Sequence, residues 1–309
     1  MSNTQSQRLA YGEEIVALGG ENPRVVALEA DLGKSTMSNL FQVAYPDRYF
    51  EMGIAEQNML STAAGLAASG KIPFCSTFAV FITGRAYDQI RQTISIGRLN
   101  VKICGSSSGL SDFGDGSTHQ DLEDVALMSA IPNMTVLTPC DATETRQAVR
   151  AAAQIDGPVY IRVVRNDLPD YITAKDTFEL GALRTLHEGS DAAIFAHGSM
   201  VGPAVKAAEL LAAQGVSAKV VNVATMKPFN YEGVAKIAAS VKAVVTAEDH
   251  NFIGGLASAV ALSLRRSATP MDYVAVQDKF GQSSHGVEEL MAHYGLTAED
   301  IAAKVKSLL

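Results

Sequence analysis

The chain alternates short apolar segments with longer helix-like segments along almost its whole length. Runs such as 25–30 and 101–104 are short enough for buried strands, whereas the Ala-rich stretch 54–69 is helix-like and stops at Gly70. Further helices are predicted over residues 86–96, 120–130, 142–154 and 298–308. This alternation is typical of an α/β fold with parallel sheets. The pattern breaks down between residues 166 and 180 and then resumes, so the sequence predicts two doubly wound α/β domains.

The break divides the sequence into a first domain, residues 1–168, a linker, residues 169–180, and a second domain, residues 181–309. In doubly wound sheets, ligands bind outside the carboxyl ends of the strands. The chemistry is therefore expected in loops that follow predicted strands of the first domain. These loops are residues 31–36, 52–56 and 105–119.

Charge and hydrophobicity exclude several classes of protein. The net charge is −8 without a basic stripe, which argues against a nucleic-acid partner. No apolar run reaches the roughly 20 residues that span a bilayer, and the polar first residues do not resemble a signal peptide. Three widely spaced cysteines form neither a metal motif nor an obvious disulfide set, so we expect a cytoplasmic protein. They are Cys75, Cys104 and Cys140.

An acid and an aromatic pair stand out in the first domain. Glu56 lies in the first turn of a predicted helix, where favourable interaction with the helix dipole is the ordinary explanation for an acid. Phe78 and Phe81 follow the next predicted strand, and their spacing places them on one face of a helical turn. Core packing would explain the pair alone, so only Glu56 and the two rings together indicate a site.

Several motifs in order resemble the transketolase family. Gly53-Ile-Ala-Glu56, Ser76-Thr-Phe-x-x-Phe81 and Asp115-Gly-Ser-Thr-His-Gln120 are similar to its pyrimidine-binding domain. Glu248-Asp-His-Asn-x-x-Gly-Gly-Leu256 and Asp278-Lys-Phe-Gly-Gln-Ser283 extend the resemblance into the second domain. Each motif alone is weak, but the ordered set is specific. The resemblance implies a pyrimidine-binding domain followed by a transketolase C-terminal domain.

The resemblance assigns a cofactor and its contacts. Glu56 would be catalytic, through a hydrogen bond to the aminopyrimidine of thiamine diphosphate, and Phe78 and Phe81 would stack on that ring. Transketolases often carry a third aromatic residue three positions further on. Here that position is Gly84, so the pocket wall is thinner or is completed in another way.

The resemblance also assigns residues to the sugar. Asp115 and His119 match donor-sugar contacts, with His119 close to the reacting hydroxyl groups. Gly114-Asp115-Gly116 also resembles the start of a metal–diphosphate motif, but the nearby Asn133 lies in a predicted turn, so no metal is assigned to this chain. We expect a separate N-terminal subunit to hold the diphosphate with Mg²⁺ or Ca²⁺, in an α2β2 assembly.

An anionic group of the substrate would meet residues from several segments. Arg8, Arg165 and Ser35 match the family's phosphate-binding residues, and arginine forks suit an oxyanion. Ser107 stands where the family places a histidine. This difference makes a modified anionic sugar, such as a branched phosphate or a sulfonate, a candidate substrate. The alternative, that the remaining groups suffice for an ordinary sugar phosphate, carries equal weight.

These assignments predict a subunit of a thiamine diphosphate-dependent transketolase of carbohydrate metabolism, which moves a two-carbon ketol unit from a ketose to an aldose. Three rival interpretations remain. They are the β subunit of a 2-oxo acid dehydrogenase, a deoxyxylulose-phosphate synthase and a non-catalytic transketolase-like scaffold. The 115–119 loop and the segment 280–283 favour transketolase over the dehydrogenase.

Overall fold

The first half of the chain builds its sheet from apolar strands that are buried on both faces. The computed structural model describes residues 4–309. Every residue of Val25–Glu29 and Ile72–Phe78 is buried, as expected for parallel strands covered by helices on both sides. The strands of this half are β1 Thr4–Ser6, β2 Val25–Glu29, β3 Tyr49–Glu51, β4 Ile72–Phe78, β5 Lys102–Ser106, β6 Thr135–Leu137, β7 Val159–Arg162 and β8 Asp167–Pro169.

Helices connect these strands. They are α1 Gln7–Glu21, α2 Gly33–Thr36, α3 Asn39–Ala44, α4 Glu56–Ala68, α5 Asp124–Ala130 and α6 Ala142–Gln154. Short 3₁₀ turns occupy Pro46–Arg48 and Gly116–Thr118, and wider π-helical turns occupy Phe81–Arg85 and Gln89–Ser95. Side-chain caps begin two of the helices: Ser6 accepts from Leu9 N on α1, and Asp141 accepts from Glu144 N on α6.

The second half repeats the alternation. Its strands are β9 Arg184–His187, β10 Ala192–Ala196, β11 Ala218–Asn222, β12 Thr225–Lys227, β13 Ala243–Asn251 and β14 Met271–Val276. Its helices are α7 Val201–Ala212, α8 Tyr231–Ala238, α9 Leu256–Ser263, α10 Val287–His293 and α11 Ala298–Leu308, with a 3₁₀ turn at Gly198–Met200. Among residues 4–309, no helix combines the length and hydrophobicity needed to cross a bilayer.

Two large sheets result, and they confirm the predicted pair of doubly wound domains. The first has the strand order β12-β6-β7-β5-β4-β2-β3, and the second has the order β14-β13-β10-β11-β9. Both have parallel cores with one antiparallel edge strand. The edge strand β12 belongs to the second half of the chain but pairs with β6 of the first, so the two domains share a sheet.

Three local predictions need correction. Within the irregular segment 166–180, β8 pairs with β1, because the chain returns beside its own N-terminal strand. The helix expected from residue 120 begins at Asp124, since Gly109 holds Asp121 in a β-bridge. The helix expected over 86–96 is largely π-helical, a geometry that hydrophobic periodicity does not predict.

A buried arginine joins the domains. Arg162, 2% exposed, lies at the end of β7. It donates to Asp124 of α5 at 2.9 Å and to Asp249 of β13 at 2.6 Å. The hydroxyl of Tyr160 also donates to Asp124, at 2.8 Å. Because the carboxylates come from both halves of the chain, the ion pairs fix the second domain against the carboxyl end of the first sheet.

Candidate active site

Neighbouring parallel strands deliver the predicted site residues to one edge of the first sheet. Strands β3, β2, β4 and β5 lie side by side in parallel, so their carboxyl ends meet there. Glu56 follows β3, Phe78 ends β4, and the loop 107–119 follows β5. This edge is where ligands bind in doubly wound folds.

Glu56 is the first residue of α4 and is nearly enclosed, with 4% of its surface exposed. The chain reaches it through a tight turn at Gly53, whose φ of 67° favours glycine. The Oε1 atom of Glu56 accepts a hydrogen bond from Nη1 of Arg85 at 2.7 Å. The Oε2 atom makes no hydrogen bond within the described part of the chain, so one carboxylate oxygen is available to a ligand.

Three rings form a platform beside this acid. Phe78 and Phe81 stack with centroids 5.8 Å apart and planes 21° apart. The edge of His119 approaches both, at 5.2 Å from Phe81 and 6.1 Å from Phe78. Arg85 connects platform and acid, because its guanidinium carbon lies 4.1 Å from the Phe81 centroid while its Nη1 binds Glu56.

The contacts fit a flat heteroaromatic ring. Such a ring needs an apolar face to stack on and a buried polar group at its edge. Phe78 and Phe81 provide the face, and Glu56 provides a carboxylate that can accept from, or share a proton with, a ring nitrogen. The residues present are therefore suited to the pyrimidine of thiamine diphosphate.

A second group gathers two arginines at the same edge. Arg8, in the first turn of α1, donates from Nε to the backbone oxygen of Arg165 at 3.2 Å. Its Nη1 donates to the backbone oxygen of Ser35 at 2.6 Å. The structure thus brings together the three residues that the sequence assigned to an anion. Both guanidiniums are partly exposed and keep N–H groups without partners among residues 4–309.

A carboxylate forms an ion pair with one of these two arginines. The side chain of Asp112, 2% exposed, accepts from Nη1 of Arg165 at 2.8 Å. Burial raises the pKa of the Asp112 carboxyl above its usual range, and the Arg165 guanidinium opposes that shift. The predicted sugar contact Asp115 is exposed and lies near enough to Asp112 for the two carboxyls to influence each other.

Ser107 makes no hydrogen bond to the group formed by Arg8, Ser35 and Arg165. The residue is fully buried, and its Oγ has no hydrogen-bond partner in the described chain. Its φ of 53° is uncommon for a residue other than glycine. A direct contact between Ser107 and a substrate would therefore require the loop to open, and the expected contact remains a prediction.

Contacts with the second domain hold the loop 107–119. This loop runs from the arginine group to the Phe78–Phe81 platform. The Nε2 of Gln120 donates to the backbone oxygens of Asp112 at 3.0 Å and Gln282 at 3.1 Å. The backbone N–H of Ser284 donates to the oxygen of Phe113 at 2.8 Å. The loop that carries Asp115 and His119 is thus held by contacts with both domains.

Sequence reasoning missed Arg85 and Asp112. Arg85 follows Phe81 by four residues, a helical spacing that could have indicated their contact. Asp112 lies in an irregular loop, and its pairing with Arg165 depends on the loop's path. No pattern in the sequence indicates that path.

Both halves of the chain match known protein families. Residues 3–170 match the transketolase pyrimidine-binding domain family, and residues 181–301 match the transketolase C-terminal domain family. A putative transketolase C-terminal section from Methanocaldococcus jannaschii is 40% identical, with 97% of this chain and 95% of that protein covered. A 6-deoxy-6-sulfo-D-fructose transketolase subunit from a Clostridium species is 41% identical, with 95% and 91% covered.

A solved structure shares the whole fold. It is described as a split gene transketolase, inactive beta4 tetramer, and it matches with a TM-score of 0.90 and 45% identity over 99% of both chains. The chain therefore belongs to the transketolase family. Within that family it is a C-terminal subunit of the split type, which comprises the pyrimidine-binding and C-terminal domains.

Proposed function

We propose that this chain is the C-terminal subunit of a thiamine diphosphate-dependent transketolase, which transfers a two-carbon ketol unit from an anionic ketose to an aldose. The observation that carries the proposal is the enclosed Glu56 carboxylate, which Arg85 connects to the stacked Phe78 and Phe81 rings. A buried acid next to an apolar platform is a poor choice for stability alone, because burying a carboxylate is costly.

Each residue has a separate task. When bound, thiamine diphosphate supplies the reactive carbon and the electron sink for breaking and forming the carbon–carbon bond. Glu56 holds a proton at the pyrimidine nitrogen, and the Phe78–Phe81 stack orients that ring. His119, whose ring lies at the edge of the stack, exchanges a proton with a sugar hydroxyl in this proposal, and Asp115 binds the donor sugar.

A second subunit completes the proposed site. We assign the diphosphate and its Mg²⁺ or Ca²⁺ to an N-terminal partner, in an α2β2 assembly in the cytoplasm. A relative named a transketolase C-terminal section has 95% of its length covered by this chain, which supports a separate chain of this kind. The related inactive beta4 tetramer supports both self-association and the need for a partner.

The proposed substrate is an anionic sugar held by Arg8, Ser35 and Arg165. Their hydrogen-bonded cluster supports this assignment. The Clostridium relative, 41% identical, is named for 6-deoxy-6-sulfo-D-fructose, so a sulfonated ketose is a candidate donor alongside sugar phosphates. Ser107 is kept as a predicted substrate-binding position, with its hydroxyl exposed only if the loop opens.

The test uses the complex with its partner, identified by co-purification. Glu56→Gln keeps a hydrogen-bonding side chain of similar size but removes the acid, so ketol transfer should fall roughly 100-fold or more. Glu13→Gln, on the exposed surface of α1, is the matched control and should retain activity. Near-native turnover by an assembled Glu56→Gln complex would refute the assignment.

A further inference from the structure

The charge of the arginine pair differs from that of a simple phosphate site. Arg8 and Arg165 contribute two positive charges, and Asp112 forms a 2.8 Å ion pair with Arg165. Two further carboxylates lie near enough to act on these groups: Asp167 opposes the lowering of the Arg8 pKa by burial, and Asp115 adds to the raising of the Asp112 pKa by burial. The site therefore combines two guanidiniums with three neighbouring carboxylates.

This combination of positive and negative groups changes the binding of monoanions and dianions by different amounts. A second negative charge on a ligand gains attraction from the two arginines, but it is also repelled by each nearby carboxylate. Asp112 has the largest effect because it is buried beside the guanidinium, where solvent screens it less than an exposed acid. The hydrogen-bonding geometry still suits a tetrahedral oxyanion, because both arginines have N–H groups that make no hydrogen bond within residues 4–309.

We propose that Asp112 is a specificity-determining residue, which makes the Arg8–Arg165 site select a monoanionic sulfonate over a dianionic phosphate ester of the same shape. The inference rests on the proposed function, since it takes this arginine pair as the anion site of the donor sugar. It replaces Ser107 with Asp112 as the main reason for departure from ordinary sugar phosphates, because the buried Ser107 hydroxyl makes no hydrogen bond to either arginine within the described chain.

A simpler role for Asp112 is to orient Arg165 without influencing charge selection. The two roles are distinguished by Asp112→Asn, which keeps an oxygen to accept from Arg165 and removes the negative charge. Asp112→Glu keeps the charge. Asp272→Asn removes a carboxylate from a remote ion pair with Lys304 and is the matched control.

Two small probes isolate charge from shape. Methanesulfonate and methylphosphonate have similar size, but at pH 8.5 the first carries one negative charge and the second is mainly a dianion. Their dissociation constants for the full chain are measured by calorimetry or by NMR titration, with melting temperatures as a check on folding. Because binding alone is recorded, this measurement does not depend on turnover or on Glu56.

The native chain should bind methanesulfonate more tightly than methylphosphonate, and a native chain that prefers methylphosphonate would contradict the proposal. In Asp112→Asn, the dissociation constant of methylphosphonate should fall roughly tenfold relative to that of methanesulfonate, as expected for removing one nearby negative charge. Asp112→Glu and Asp272→Asn should keep the native ratio, and Arg8→Gln should weaken both probes.

Other outcomes overturn the inference in distinguishable ways. An unchanged ratio in Asp112→Asn, with both probes still lost in Arg8→Gln, would leave Asp112 only an orienting role. If the native chain binds neither probe, or if Arg8→Gln binds both with native affinity, the arginine pair is not an anion-binding site. Neither result bears on the acid–base role of Glu56, which the Glu56→Gln turnover assay tests separately.

Discussion

Arg85 occupies the place where the sequence leaves a gap in the aromatic wall. Gly84 stands at the position of the expected third aromatic residue, and the π-helical turn Phe81–Arg85 presents the next side chain instead. The Arg85 guanidinium lies 4.1 Å from the Phe81 centroid, within the range of a cation–π contact. We interpret it as the flat group that completes the wall of the pyrimidine pocket.

Replacing Arg85 with Ala should weaken binding of thiamine diphosphate to the assembled complex by roughly tenfold, since a planar stacking group and a cation–π contact are lost. The apparent dissociation constant is obtained by titrating cofactor into the apo complex and recording activity. Arg91→Ala is the control, because Arg91 is exposed and its guanidinium binds the neighbouring Gln92. Tighter cofactor binding by Arg85→Ala would instead show that Arg85 competes for Glu56.

The site residues that the structure brings near one another, as the sequence predicted, are those attached to strand ends. Glu56, Phe78 and His119 were expected near each other because parallel strands terminate at a common edge, and the structure places them there. Arg85 and Asp112 were not expected, because their contacts depend on a π-helical turn and an irregular loop. Ser107 was aligned by position along the chain, which did not reveal that its side chain is buried.

At the level of secondary structure, prediction succeeded where the pattern was long. Helix α6 was expected over residues 142–154, as observed, and α11 was expected over 298–308, as observed. The short strands β9 and β12 were missed. A strand of three or four residues contains too little alternation to be recognised, and its pairing depends on a partner distant in sequence.

The contact between β7 and β13 should dominate the stability of the domain interface. Asp249→Ala removes one partner of the buried Arg162 and leaves Asp124 as its remaining carboxylate. We expect a loss of about 3 kcal/mol, because breaking a buried ion pair leaves charge without compensation. Urea denaturation of the purified chain provides the measurement.

Lys242→Ala provides the comparison for Asp249→Ala. It removes an exposed ion pair with Asp191, and exposed pairs contribute little. If the urea denaturation midpoint of Asp249→Ala lies as close to the native value as that of Lys242→Ala does, the interface does not depend on the buried ion pair.

At the scale of the whole molecule, the proposed site in this chain is one part of a larger site that a second subunit completes. Thiamine diphosphate has a second anchor in its diphosphate, which we assign to a partner subunit. The related split-gene structure is described as an inactive beta4 tetramer, in agreement with a chain that folds and associates before it can act.

The purified chain should therefore show no ketol transfer with thiamine diphosphate, Mg²⁺ and a ketose donor, whereas addition of the partner should produce activity. Native mass spectrometry should show the homo-oligomer giving way to a complex with two copies of each subunit. Robust turnover by this chain alone would be incompatible with the proposed division of the site, and the Glu56→Gln complex serves as the background control.

The strand that β12 contributes to the first sheet has a consequence for biosynthesis. Until the ribosome has made residues 225–227, the β6 edge of the nascent first domain has no neighbour and its backbone groups remain open to other chains. A product that stops shortly after β8 would keep that edge permanently. Chaperone demand should therefore persist past the synthesis of the first domain, and cutting the gene at the apparent domain boundary should yield an aggregating fragment.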